Sequence, residues 1–165
     1  LEFRRVLFRS GDVSKKMARL NKTTCGNCPD NRFITFFLGI ANGKTGELSY
    51  SNAGHNPPLL IRRQGGYETL QEGGMILGIL PIAPYQEAAV KMERGDILVL
   101  FSDGVTEAAN LKDEEFGEER LAELVASMHD RSTTEIVQSI HKAVREFAEG
   151  EPAADDITVV VARRV

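Results

Sequence analysis

The stretch Gly95-Asp96-Ile97-Leu98-Val99-Leu100-Phe101-Ser102-Asp103-Gly104 constrains this chain more than any other. Ile97 to Leu100 is an unbroken apolar run, too short for a core helix, so it reads as a central strand buried on both faces. An aspartate follows almost at once. A second run of the same character, Ile157 to Ala162, is preceded directly by Asp155-Asp156. A carboxylate at the rim of a buried sheet is costly unless something compensates it. Hard divalent cations do so through carboxylate oxygens and water. An aspartate beside a strand is also a common turn former or cap, and at either position alone that reading competes.

The rest of the chain settles the architecture around those runs. Val13 to Thr24 has helical spacing, with Val13, Met17 and Leu20 on one face, and Pro29, Asp30 and Asn31 break it. Phe33 to Ala41 is expected to be a buried strand. Asn42 to Gly46 supplies a hairpin turn, and Glu47 to Asn52 alternates as a strand with one wet face. Leu59 to Arg62 and Tyr67 to Leu70 form another hairpin across Gly65-Gly66. Gln71 to Pro84 is a packed loop, and Glu87 to Met92 a further strand. Two amphipathic helices separate the apolar runs. One carries Phe116, Leu121, Leu124, Val125 and Met128; the other carries Ile136, Val137, Ile140, Val144 and Phe147. Ser132 and Glu135 form a capping box for the second, and Gly150 with Pro152 should end it. Hairpins, then helices, then a closing strand give an α+β domain: a layered antiparallel sheet or sandwich with helices on a face. Leu121, Leu124, Ile140 and Val144 are expected to be buried there. Regular βαβ alternation, which a doubly wound parallel sheet needs, is absent.

Composition excludes some functions. Twenty basic and 24 acidic residues give a net charge of −4, which offers nothing to nucleic acid or an anionic membrane. No apolar run approaches the roughly 20 residues of a membrane helix, and a cytoplasmic location is expected. Cys25 and Cys28 form a C-x-x-C, but they follow a helical stretch rather than a strand. The chain offers only His55, His129 and His141 to complete a zinc site, so two reduced thiols are the better reading. His129 and His141 are expected on helix surfaces, and Glu107, Asp113, Glu114 and Glu115 on a solvated face. His55, inside Asn52-Ala53-Gly54-His55-Asn56-Pro57-Pro58, reads equally as a base or phosphate binder and as a structural loop histidine. Leu1 to Ser10, with Arg4, Arg5 and Arg9, resembles a foreign adapter-derived segment and is set aside, leaving residues 11–165 as the domain.

Taken in order, Asn52 to Pro58, Ser102-Asp103-Gly104-Val105-Thr106-Glu107-Ala108, Phe116-Gly117-Glu118-Glu119-Arg120-Leu121 and Asp155-Asp156-Ile157-Thr158 resemble the signatures of the SpoIIE-type PPM phosphatases. The resemblance implies a PPM-like αββα fold, here as a partial, N-terminally truncated domain. It also implies hydrolysis of phosphoserine or phosphothreonine by a water activated at a two-metal site, Mn2+ or Mg2+. Asp103 and Asp155 would be ligands, Asp156 an alternative, and Gly104 would shape the turn. His55 and Asn56 would lie on the substrate side. No protein nucleophile is needed in such chemistry. The substrate would be a phosphorylated anti-sigma-factor antagonist in bacterial signalling, with a sensor domain upstream. The family's earlier Asp-Val-Ser-Gly motif is not matched: Asp12-Val13-Ser14 is followed by Lys15, so Asp12 reads as a residue of a helix N-terminus, favourable at its dipole. An incomplete metal site, impaired turnover and an uncovered sheet edge are expected. The alternative is a partner-binding module without catalysis. Asp103 and Asp155 should meet at one rim of the sheet.

Overall fold

The computed structural model describes residues 13–27, 32–149 and 156–165. The chain forms two compact units, one within Leu1–His55 and Glu72–Lys91, the other within Asn56–Gln71 and Met92–Val165. Each holds one four-stranded sheet.

In the first unit, α1 (Val13–Asn27) packs on a sheet of β1 (Phe36–Ala41), β2 (Glu47–Ala53), β5 (Gly73–Gly74) and β6 (Ala88–Lys91). β2 lies in the middle, antiparallel to β1 on one side and to β6 on the other, with two residues of parallel pairing to β5. The β1–β2 turn forms as its residues demand: Asn42 Oδ1 accepts the amides of Lys44 and Thr45, and Gly46 takes φ +77°. Two expectations fail here. β2 has no wet face, because Ser49, Ser51 and Asn52 are buried along with Leu48 and Tyr50. Ser51 shares its sheet face with Ala53, which packs with Met17 of α1, so small residues let the helix approach. β1 is not buried either: it is an edge, paired only with β2 among the described residues, and Phe33, Ile34 and Phe36 are exposed. The apolar run was correct for a strand but silent about its place in the sheet. The Gln71–Pro84 loop contributes β5 and is pinned to α1 by the buried Asn21, whose Nδ2 donates to the Leu80 carbonyl and whose Oδ1 accepts the Gly78 amide. At Gly73 a Cβ would lie 1.8 Å from the Asn52 carbonyl oxygen, so only glycine permits this strand approach.

The second unit has the strand order β4 (Tyr67–Thr69), β3 (Leu59–Ile61), β7 (Ile97–Phe101), β8 (Val159–Arg163), antiparallel throughout. Leu59, Ile61, Ile97, Val99 and Phe101 share one face and form a single core with Leu121 and Val125 of α3 (Gly117–Ala126) and Ile136, Ile140 and Val144 of α4 (Thr133–Phe147). Leu60 and Leu98, on the opposite face, are buried as well. That is why β7 reads as a continuous apolar run rather than an alternating one. Leu124 is only half-buried at the margin of this core, contrary to expectation. The capping box of α4 forms, with Ser132 Oγ accepting the Glu135 amide and Glu135 Oε2 accepting the Ser132 amide. The helix ends at Phe147 with Ala148 as its C-cap and Glu149 at φ +53°; Gly150 and Pro152, expected to end it, lie outside the described residues. His129 lies beyond the end of α3, and both its ring nitrogens are buried without a partner, so it is not the helix-surface residue expected.

One buried ionic cluster ties the β3–β4 hairpin to the start of β7. Asp96 Oδ2 accepts from Arg62 Nη1 at 2.6 Å and from the Glu93 amide, and Oδ1 accepts the Arg63 amide. Arg62 also pairs with Glu68. Burial pushes the Asp96 carboxyl up, but these hydrogen bonds and the Arg62 charge outweigh it and hold Asp96 below the usual carboxylate range.

Candidate metal-binding rim

The β7–β8 ladder is regular up to Phe101 opposite Val159. One step further the two chains stay joined by Ser102. Its amide donates to the Thr158 carbonyl at 3.0 Å. Its hydroxyl donates to the Asp156 carbonyl at 2.7 Å and accepts the Thr158 amide at 2.9 Å. Ser102 precedes a short helical turn, α2 (Asp103–Thr106), yet its side chain makes no cap bond; its proton and one of its lone pairs go to residues 156 and 158 instead.

This register sets Asp103 and Asp156 at the same rim of the second unit. Asp103 opens α2 and is half-buried; Asp156 is exposed. Asp103 Oδ1 accepts the Gly104 amide at 3.0 Å, and the Asp103 carbonyl accepts the Glu107 amide. Gly104 is buried within the helical turn and has no left-handed backbone, so the turn does not need glycine for its dihedral angles. Asp155 and Asp12 lie outside the described residues, as does Cys28; Cys25 is a half-buried free thiol near the end of α1. Glu107, Asp113, Glu114 and Glu115 are exposed, as a solvated face requires.

His55 and Asn56 belong to different units. The loop before His55 is built by Asn52, whose Oδ1 accepts the His55 amide at 2.8 Å and whose Nδ2 donates to the His55 carbonyl at 2.9 Å. Gly54 makes this bend possible with φ +71°, and a Cβ there would meet Ile76 at 2.2 Å. His55 is half-buried, with Nδ1 3.5 Å from Thr35 Oγ1. Asn52 and Ser102 carry the local geometry, and the sequence reading passed over both. The available signal was a hydrogen-bonding side chain at the penultimate residue of a strand, Asn52, or at the first residue beyond one, Ser102.

Among the described residues no group of three or more His, Cys, Asp or Glu side chains is gathered to hold a metal ion. The donor chemistry at the rim nevertheless fits a hard divalent cation, since Asp103 and Asp156 offer carboxylate oxygens and no soft ligand is present there.

The chain is similar to known proteins in sequence and in fold. The family model of stage II sporulation protein E (SpoIIE) matches residues 2–165. Phosphoserine phosphatase RsbU of Bacillus subtilis is 30% identical over 154 residues, covering 92% of this chain and 45% of RsbU. Protein IcfG of Synechocystis sp. is 32% identical over 132 residues, covering 80% of this chain and 21% of IcfG. The chain thus spans less than half the length of either relative. Among solved structures, the PP2C phosphatase domain with a regulatory fragment of SpoIIE from Bacillus subtilis superposes with a TM-score of 0.78 at 20% identity, over 93% of this chain and 45% of that one. The RsbU and RsbW domains of Rv1364c from Mycobacterium tuberculosis give a TM-score of 0.76 at 21% identity, over 94% and 43%. With its mixed α+β architecture of antiparallel sheets and its matched residues, the chain belongs to the SpoIIE family and has the PPM phosphatase fold.

Proposed function

We propose that the chain is a metal-dependent phosphoprotein phosphatase that hydrolyses phosphoserine or phosphothreonine in bacterial signalling. The observation that carries this reading is the rim itself. Asp103 leaves the end of the central strand β7, and the Ser102 hydroxyl holds the backbone of Asp156 beside it. Asp103, with Asp155 or Asp156, would hold Mn2+ or Mg2+. When bound, the cation polarises phosphoryl oxygens and lowers the pKa of a water that attacks phosphorus. The chain's own residues orient and exclude. The Gly104 amide holds one oxygen of Asp103 in place. Phe101 and Val105, on either side of Asp103 in the chain, are buried in the core of the second unit and anchor the turn that carries it. Within the first unit the Asn52 side-chain amide fixes the loop of His55, and His55 and Asn56 are candidate substrate-side residues only.

RsbU is by name a phosphoserine phosphatase, which supports the same bond class here. The substrate we assign is a phosphorylated anti-sigma-factor antagonist, and a sensor domain upstream in the full-length protein is proposed with it. Slow turnover and weak metal binding of this chain belong to the same reading, because Asp12-Val13-Ser14 is followed by Lys15 where the family's earlier metal-binding motif has glycine. The test is phosphate release from matched phosphoserine and phosphotyrosine peptides, with Mn2+ and with EDTA. Release from phosphoserine that disappears in EDTA supports the reading. No release at millimolar Mn2+ would favour a partner-binding module without catalysis.

A further inference from the structure

We infer that Ser102 is a positioning residue for the metal-binding rim, acting through the backbone of residues 156–158; this rests on the phosphatase reading above. The geometry is specific to this side chain. The β7–β8 ladder ends at Phe101 and Val159, and beyond it lie α2 on one side and residues 156–158 on the other. Ser102 sits at this junction. Its one hydroxyl proton goes to the Asp156 carbonyl and its lone pair takes the Thr158 amide, so a single oxygen closes both ends of a two-residue step. The next residue on its own strand is Asp103. The hydroxyl therefore joins the two segments that bear the candidate ligands, without being a ligand itself.

The hydroxyl does not cap α2: its proton goes to the Asp156 carbonyl and one of its two lone pairs takes the Thr158 amide. Removing it would take the side-chain partner from the Asp156 carbonyl and the Thr158 amide and loosen the segment that carries Asp156, with the bond from the Ser102 amide to the Thr158 carbonyl still in place. Outer partners of this kind typically change metal affinity by about 10–100-fold when lost.

The experiment uses the whole chain in wild-type, S102A, S102C and S102T forms. S102C keeps the side-chain size and loses the strong hydrogen bonds; S102T keeps the hydroxyl. Two readouts are taken by NMR at each Mn2+ concentration: exchange of the Thr158 amide, and paramagnetic broadening of the Gly104 and Ile157 amides, which detects even weak binding. S102C and S102A should exchange Thr158 faster and need about tenfold more Mn2+ for half-broadening, while S102T stays within about twofold of wild type. A purely structural role would lower thermal stability in S102C without moving the Mn2+ midpoint, and that result overturns the inference. If S102A fails to fold, the S102C and S102T pair decides alone. Wild type showing no broadening at these amides overturns the metal-rim reading itself, and the role of Ser102 falls with it.

Discussion

The two units use the same ingredients to different effect. In the second, strands β3, β7 and β8 and helices α3 and α4 bury Phe101, Leu121, Ile136, Ile140 and Val144 in one continuous core. In the first, the packed cluster that joins α1 to the sheet is Met17, Ala53 and Leu77, with Leu38 and Tyr85 half-buried beside it. Leu20, Phe33, Ile34, Phe36, Ile79, Leu80 and Ile82 of that unit remain exposed, Ile82 at 85%. Apolar burial scales with area removed from water, at about 25 cal/mol per Å2. Among the described residues the larger continuous core is that of the second unit, where Asp103 comes two residues after the end of β7 and Asp156 lies shortly before β8.

Substitutions can break this contrast. The largest effect is expected at Asp96→Ala, about 3–5 kcal/mol, because it removes a buried carboxylate that holds two backbone amides and Arg62 Nη1, leaving Arg62 only its pairing with Glu68. The pH dependence follows. The folded carboxyl lies below the unfolded value of about 3.9, so its contribution is complete above that pH and is lost as pH falls through the folded value. Urea unfolding of wild type should weaken steeply below about pH 4, and Asp96→Asn should lack that component of the fall. Next comes Ile140→Ala, fully buried between α4 and the sheet, at about 2–5 kcal/mol by the same measurement. Ser132→Ala, which removes the capping box of α4, should cost about 1 kcal/mol. Leu20→Ala in the first unit, at 40% exposure, should stay within about 0.5 kcal/mol. A Leu20 loss equal to that at Ile140 would erase the contrast between the units.

Periodicity made the second unit legible. Ile97 to Leu100, the two amphipathic stripes and the Ser132 cap each point to one local structure, and local and tertiary demands agree. The first unit was less legible for a physical reason. Phe36 to Ala41 has the composition of a buried strand but lies at an edge, and Ser49 and Ser51 look solvent-facing but lie under a helix. Strand composition reports what a pleated surface tolerates, and position in the sheet comes from tertiary pairing. At the rim, Asp103 and the Asp155-Asp156 pair stood out as acids beside apolar strands. The join between them did not, because a serine makes such bonds only where the register of two distant strands places it.

The central claim is that acids at the β7–β8 rim hold the cation that drives phosphate release. Its most direct test is Mn2+-dependent phosphate release from a phosphoserine peptide by wild type and by Asp103→Asn, with unfolding curves confirming that both are folded. The account predicts that Asp103→Asn loses about 100-fold or more in rate, beyond the span seen for outer partners of a metal site, at nearly unchanged stability. A folded Asp103→Asn chain that releases phosphate at the wild-type rate, with the same Mn2+ dependence, would contradict it.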